Sequence, residues 1–153
     1  LRSRGLGDVY KRQQYITPET KIVFSQTYRL LQHSVAAMVT SGTATLETAL
    51  FGVPQVVCYY MSAGKLVSFL RKFLLKVKYV SLVNLITGEE TVKELVADGM
   101  TASNLKHEFA AILPGGDKRE SVLDGYSQLK SILGNPGASE KAAEIIVEAL
   151  RSK

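Results

Sequence analysis

The segment from Val39 to Tyr60 holds the residues whose types and spacing best suit chemistry. A short apolar run ends there at Ser41, Gly42 and Thr43, and a segment with helical spacing follows at once. The first backbone N–H groups of a helix lack intrahelical partners, and the helix dipole adds partial positive charge at that end. Glycine allows a ligand to approach the backbone and the hydroxyls add hydrogen bonds, so the three residues suit a phosphate group.

Glu47 lies about one helical turn beyond Thr43, where its carboxylate could accept hydrogen bonds from ribose hydroxyls. The surrounding pattern is neither G-x-G-x-x-G nor a P-loop with its lysine. Two interpretations therefore stay open from spacing alone. In one, the turn and Glu47 bind a phosphate and a ribose. In the other, Ser41 and Thr43 merely cap the helix and Glu47 faces solvent.

Strands that alternate with helices must position this segment. Ala36 to Thr40 and Gln55 to Tyr60 have the apolar character of buried strands, and Thr43 to Phe51 has helical spacing between them. Such an arrangement predicts an α/β fold with a small, parallel, Rossmann-like sheet flanked by helices. The turn would then lie at the carboxyl end of a parallel strand, where open α/β sheets bind ligands.

The remaining elements are predicted from shorter patterns. Lys21 to Ser25 is a β-like run, Thr27 to His33 is helical and Tyr79 to Leu82 is extended. Everything from Thr91 onward is predicted to be helical, after a capping box formed by Thr87 and Glu90. Three apolar faces define these C-terminal helices: Leu105, Phe109, Ile112 and Leu113; Val122, Tyr126, Leu129 and Leu133; Ala142, Ile145, Ile146 and Ala149.

Composition excludes several classes of protein. The chain has 153 residues, the length of one domain, and a net charge of +5. Cys58 is its only cysteine and it has two histidines, so the sequence suggests no disulfide and no metal site. No apolar run is long enough to span a bilayer, and the pattern of a signal peptide is absent. We also expect no cofactor and no nucleic-acid partner.

The first thirteen residues are interpreted separately from the rest. Asp8 to Gln13, "DVYKRQ", resembles the translation of a transposase adapter used in preparing sequencing libraries. We therefore expect residues 1–13 to be a non-native or disordered leader and residues 14–153 to be native protein. A basic arm for nucleic acid is the alternative, but it should carry aromatic residues or a recognisable domain beside it.

A basic amphipathic stretch, "KLVSFLRKFLLKVKYV", follows the second predicted strand. Its apolar face is spaced for a helix from Leu66 to Val77, and such a helix can lie on an anionic membrane surface. The alternative is a helix packed on the core with a solvated basic rim. The candidate membrane-surface residues are Lys65, Phe69, Arg71, Lys72, Phe73 and Lys76.

Two motifs, "SGTATLETALFGVPQVVCYY" and "YVSLVNLITGEETVKELVADGMTASNL", together resemble the lipid-A-disaccharide synthase family. The resemblance runs from about Ile22 to the C-terminus and implies the C-terminal, nucleotide-binding half of a GT-B glycosyltransferase. It implies that Ser41, Gly42, Thr43 and Ala44 face the diphosphate of a UDP-sugar and Glu47 its ribose. It also places three further residues in the same cleft: Asn84, Gly88 and Glu89. The family often has proline where this chain has Val83.

The resemblance also implies the reaction and its setting. The expected substrates are UDP-2,3-diacylglucosamine and 2,3-diacylglucosamine 1-phosphate, the expected product is the lipid A disaccharide, and UDP leaves. Catalytic residues are expected in an N-terminal domain missing from this chain, so the chain alone is expected to be inactive. The expected location is cytoplasmic, peripheral on the inner face of the bacterial inner membrane.

Two other functions stay open at this point. One is a UDP-N-acetylglucosamine 2-epimerase or another GT-B nucleotide-sugar enzyme, which would share the nucleotide pocket but not the acceptor. The "VSLVNL" segment argues against it. The other is a non-enzymatic domain that interacts with a membrane surface, in which the serine-glycine turn only caps a helix.

Overall fold

The computed structural model of the chain describes residues 17–40, 42–59, 78–134 and 137–151, and the chain divides into two units after His33. In the first unit, α1 (Thr27–Gln32) is followed by His33 as its C-cap, which confirms the predicted helix. The strand predicted from Lys21 to Ser25 is wrong, because these residues have irregular backbone and are exposed. A strand needs a hydrogen-bonded neighbour, and that run has no ladder partner among the described residues.

The second unit confirms the predicted α/β class, with a small parallel sheet and a helical C-terminal region. Its elements, in chain order, are β1 (Ala37–Thr40), α2 (Thr43–Leu50), β2 (Gln55–Tyr59), α3 (Leu82–Thr87), β3 (Lys93–Val96), a 3₁₀ turn (Ala97–Gly99), α4 (Ala102–Ile112), α5 (Arg119–Leu133) and α6 (Ala138–Arg151).

The three described strands lie in the order β1-β2-β3, and both pairings are parallel. In the register, Val57 of β2 lies between Val39 of β1 and Glu94 of β3. The first four residues of β2 are buried, as its unbroken apolar run predicts for a central parallel strand. Since the strands are parallel, their carboxyl ends share one edge of the sheet, and Gly42 follows the carboxyl end of β1.

The prediction of helix throughout from Thr91 onward is wrong at β3. Lys93 to Val96 pair with β2, although lysine, glutamate and leucine all favour helices. Pairing with a central strand satisfies the backbone and buries Leu95, and this tertiary gain outweighs the local preference. The capping box is wrong as well, because Thr87 is the last residue of α3 and its hydroxyl donates to the Val83 carbonyl.

One hydrophobic core lies where α2, α3, α4 and α5 cover the sheet. The helix faces predicted for α4 and α5 contribute Ile112, Val122, Tyr126 and Leu129 to it, whereas Leu133 is exposed. The buried members of the core are Ala49, Val56, Val57, Cys58, Val83, Val92, Leu95, Ile112, Val122, Tyr126 and Leu129.

The last helix, α6, forms where its spacing predicts one, but its apolar side is open to solvent. Ile145 is 66% exposed and Ile146 is 60% exposed. In the ranges that the structure describes, no helix is long and apolar enough to cross a membrane. The predicted leader 1–13 and the basic helix from Leu66 to Val77, with all of its candidate membrane-surface residues, lie outside those ranges.

An ion pair joins α4 to the start of α5. Lys118 Nζ lies 2.6 Å from Glu108 Oε2, and the Glu108 side chain is only 13% exposed. Burial alone would raise the pKa of Glu108, but the hydrogen bond and charge of Lys118 outweigh it and lower the pKa. A carboxyl group with a lowered folded-state pKa stabilises the fold above its unfolded pKa, and that stabilisation is lost as the pH falls through the folded pKa.

Replacing Glu108 with glutamine should therefore lower the free energy of unfolding at pH 7 by roughly 0.5–1 kcal/mol, the scale of a partly exposed pair. At an acid pH below the lowered folded-state pKa of Glu108, the variant and the unmodified chain should be equally stable, because the carboxyl group is then protonated in both states. Urea unfolding followed by circular dichroism at the two pH values measures this. Glu120→Gln, at an exposed position on α5, is the control; an equal loss at both pH values would contradict the assignment.

Candidate functional site

The turn between β1 and α2 is shaped by Gly42. It has φ +129° and ψ −161°, a conformation open to glycine but strained for residues with a side chain. Its carbonyl oxygen accepts two hydrogen bonds from Thr45, from the backbone N–H at 3.1 Å and from the hydroxyl at 2.8 Å. The orientation of the Gly42–Thr43 peptide is therefore held from inside the helix.

The outward side of the same turn is open. Among the described residues, no side chain caps α2 and nothing accepts a hydrogen bond from the amides of Thr43 and Ala44. Gly42, Thr43 and Ala44 are all exposed. Ser41 lies outside the described residues, so its predicted capping or binding role stays a prediction. The turn thus presents two donors that find no acceptor within the described residues, at the positive end of a helix, an arrangement that suits an anion.

Glu47 is on the same side of α2 as this turn. It is four residues after Thr43, and residues four apart are neighbours on a helix surface. The opposite side of α2 is buried through Thr45, Thr48 and Ala49, whereas Glu47 is half-buried. In the described part of the chain, no ion pair or hydrogen bond engages its carboxylate. The side chain is therefore available to polar groups of a ligand that lies on the turn.

A buried amide is hydrogen-bonded to the first turn of α2. Gln55, the first residue of β2, is fully buried, and its Nε2 donates to the Thr45 carbonyl at 2.8 Å and to the Tyr126 hydroxyl at 3.1 Å. Tyr126 in turn donates to the Val53 carbonyl at 3.1 Å. Burial raises the pKa of Tyr126 well above its usual range, so the phenol stays protonated and able to donate.

The other polar atom of this amide is not satisfied. Gln55 Oε1 is buried and no group in the described residues donates to it. A buried acceptor without a partner costs about 1–3 kcal/mol, so the glutamine is not explained by stability alone. The sequence analysis placed Gln55 in a strand and Tyr126 on an apolar helix face, but it did not predict the hydrogen bond between them. The available signal was a polar side chain at the head of a run of buried apolar residues.

The second family motif forms a buried polar network. Asn84 is fully buried, its Oδ1 accepts from the Val92 N–H at 2.9 Å, and its Nδ2 donates to the Val92 carbonyl at 2.8 Å and to Glu94 Oε1 at 2.9 Å. Glu94 also accepts from the N–H groups of Val80 and Ser81, at 2.9 and 2.8 Å, and from the Ser81 hydroxyl. This carboxylate therefore pairs with the backbone N–H groups that immediately precede α3.

The polar atoms of the Asn84 amide are engaged within the fold, so its predicted place in the cleft stays a prediction. The amide is bonded to Val92, just before the amino end of β3, whereas Gly42 follows the carboxyl end of β1. In a parallel sheet these ends lie on opposite edges. Gly88, the left-handed C-cap of α3, and Glu89 occupy the connection that leads to the same amino end. Their assignment to the cleft stays a prediction, and the geometry favours a structural role.

The cysteine and histidine side chains that the structure describes form no second candidate site. Cys58 is buried in β2, as predicted, and burial raises the pKa of its thiol. His107 is exposed on α4. In the parts of the chain that the structure covers, no three histidine, cysteine, aspartate or glutamate side chains come together as metal ligands.

A comparison with known families assigns the chain to one of them. The family model for lipid-A-disaccharide synthetase matches residues 8–149. This chain belongs to the lipid-A-disaccharide synthase family. The match begins inside the predicted leader 1–13, so that boundary stays a prediction, and it includes the turn, Glu47 and the Asn84 network.

Individual members of the family support the match. The chain is 35% identical to the lipid-A-disaccharide synthase of Syntrophus aciditrophicus over 88% of its length and 34% of the relative's. It is 38% identical to the lipid-A-disaccharide synthase of Solibacter usitatus over 87% of its own length and 35% of the relative's. It is also 38% identical to that of Myxococcus xanthus, over 76% of its own length and 30% of the relative's. The chain thus spans about a third of the length of these curated relatives.

The Asn84 network leads to a stability prediction. Asn84→Ala should lower the free energy of unfolding by about 2–4 kcal/mol, because it leaves the Val92 N–H and carbonyl buried without partners. Chemical denaturation of both proteins measures the loss.

Asn104→Ala is the matched control for this variant. Asn104 also sits in the first turn of a helix and donates from its side chain to a carbonyl, that of Gly99, but it is exposed. Its loss should cost less than about 1 kcal/mol. Equal effects of the two substitutions would show that the buried network adds nothing.

Proposed function

We propose that this chain is the UDP-sugar-binding part of a lipid-A-disaccharide synthase. The observation that carries the proposal is the open turn of α2, in a chain of that family. Two amides at this helix N-terminus have no acceptor in the part of the chain that the structure describes. The diphosphate of UDP would accept hydrogen bonds from the amides of Thr43 and Ala44 and from the hydroxyls of Ser41 and Thr43. The Glu47 carboxylate, one turn along, would accept from the ribose hydroxyls.

The proposed reaction transfers 2,3-diacylglucosamine from its UDP donor to 2,3-diacylglucosamine 1-phosphate. A hydroxyl of the acceptor forms a bond to the anomeric carbon, the bond from that carbon to UDP breaks, and the hydroxyl proton passes to a base. Negative charge develops on the departing diphosphate. Amides that already point at that position stabilise the charge without reorganising during the reaction, which is the general advantage of a preorganised site.

Transfer is proposed to need more than this chain. The part of the relatives' length that the chain does not span is proposed to supply the acceptor site and the base, so the chain alone should bind UDP weakly and transfer nothing. Because both substrates are acylated, we propose that the enzyme works against the inner face of the bacterial inner membrane. The basic stretch from Lys65 to Lys76 is the proposed contact with anionic lipid.

Removing the carboxylate of Glu47 tests the ribose contact. Glu47→Ala should weaken UDP binding by roughly ten- to a hundredfold, because hydrogen bonds to charged groups contribute about 1.5–3 kcal/mol. The unfolding temperature should stay nearly unchanged, since the side chain makes no described interaction within the fold. Isothermal titration calorimetry with UDP measures the affinity. Glu120→Ala, an exposed glutamate on α5, should bind like the unmodified chain; equal affinity in Glu47→Ala would remove Glu47 from the site.

Changing the glycine of the turn tests the diphosphate contact. A Cβ added at Gly42 meets no protein atom within 4 Å, so it would occupy the open space in front of the turn. Gly42→Ala should therefore obstruct the ligand and also strain the backbone, which costs about 1–3 kcal/mol at such a φ and ψ. UDP affinity should fall at least about tenfold, which corresponds to a loss of about 1.4 kcal/mol of binding free energy, the scale of a hydrogen bond.

Gly52→Ala separates the two effects of the Gly42 substitution. Gly52 also has a positive φ, +72°, and open space at its Cβ, but it follows the far end of α2. Its replacement should destabilise the chain by about 1–2 kcal/mol and leave UDP affinity within about twofold. A similar loss of affinity in both variants would trace the effect to backbone strain and count against a ligand at Gly42.

A further inference from the structure

We propose that Gln55 is a positioning residue for the diphosphate-binding turn, an inference that rests on the proposed function. Gln55 touches no part of the turn that faces the ligand. It acts through Thr45, whose carbonyl oxygen it holds at 2.8 Å from the first residue of the central strand. The same residue, Thr45, holds the Gly42 carbonyl through its N–H and its hydroxyl.

The planarity of the peptide bond carries this restraint to the ligand side. In a trans peptide the C=O and N–H point in opposite directions, so the orientation of the Gly42 carbonyl sets that of the Thr43 N–H. Two hydrogen bonds direct that carbonyl inward, toward Thr45, and the N–H therefore points outward. Whatever fixes Thr45 also fixes the direction of the donor offered to a diphosphate.

Gln55 ties Thr45 to rigid parts of the fold. β2 is hydrogen-bonded on both sides, and the second amide hydrogen of Gln55 is held by Tyr126 of α5, which is itself bonded to Val53. The amide can be oriented only one way, because the reverse orientation would set Oε1 against the Thr45 carbonyl oxygen, two acceptors with no hydrogen between them. Its Oε1 is then left buried without a partner. A methionine could fill this space without that defect, so what distinguishes glutamine here is the bond to Thr45.

The test compares Gln55→Met with Tyr126→Phe. Gln55→Met keeps the side-chain length and removes the bonds of Gln55 to Thr45 and to Tyr126. Tyr126→Phe removes the bonds of Tyr126 to Gln55 and to Val53 but leaves the bond from Gln55 to Thr45. Two quantities are measured at a temperature where both variants are folded: the backbone amide ¹⁵N order parameters of Gly42 to Thr45 without ligand, and the dissociation constant for UDP by calorimetry.

Gln55→Met should lower the order parameters of the turn and raise the dissociation constant roughly tenfold, about the effect of one misdirected hydrogen bond. Tyr126→Phe should keep the order of the turn and an affinity within about twofold of the unmodified chain, even if it unfolds at a lower temperature. This contrast separates positioning from stability, since a merely structural role would make affinity follow the unfolding temperature in both variants.

Three outcomes would overturn the proposal. Unchanged order in Gln55→Met refutes the restraint whether or not UDP binds. Lower order with unchanged affinity refutes its link to the ligand and leaves the proposed nucleotide site intact. If the unmodified chain, correctly folded, does not bind UDP, the proposed function fails, and with it the role assigned to Gln55.

Discussion

The buried central strand imposes the constraint on which the rest of the described fold depends. Because β2 has a strand on each side and helices over it, any polar side chain that it carries must find its partner inside the protein. Both hydrogens of the Gln55 amide find acceptors inside the protein, whereas its Oε1 has no hydrogen-bond donor among the described residues. Its donors join α2, β2 and α5 at one point, through the Thr45 carbonyl and the Tyr126 hydroxyl.

Two helices of the same unit begin in opposite electrostatic states. α3 begins against the carboxylate of Glu94, which accepts from the amides of Val80 and Ser81 and so occupies that helix end with a negative charge from the chain itself. α2 begins at Gly42 with no side-chain cap among the described residues, and its first two residues, Thr43 and Ala44, are exposed. A helix end that is already paired with a carboxylate has little left for an anion, whereas an unpaired end attracts one. The difference favours α2 as the place where a diphosphate would bind.

The two motifs that resemble the family therefore have different structural roles in this fold. In the first motif, Gly42 and Thr43 form the open turn, and Glu47 lies one helical turn beyond it. The "VSLVNL" segment and the following "VKELV" contribute Ser81, Asn84 and Glu94 to a network that joins α3 to β3. A motif can thus identify a family through residues that hold the fold, because a buried network of this kind tolerates few substitutions.

The sequence by itself determined the βαβ unit and the turn, because the signals are local: apolar runs, helical spacing and a glycine lie within a few residues of one another. It also pointed to the family. Only the tertiary structure decided β3, since "KELV" has helical preferences and becomes a strand by pairing with β2. The hydrogen-bond partners of Asn84 and Gln55 could not be predicted from the sequence either. Glu94 and Thr45 are each 10 residues away, and Tyr126 is 71. No local pattern encodes which side chains meet at such separations, because their contact exists only once the sheet and helices have packed.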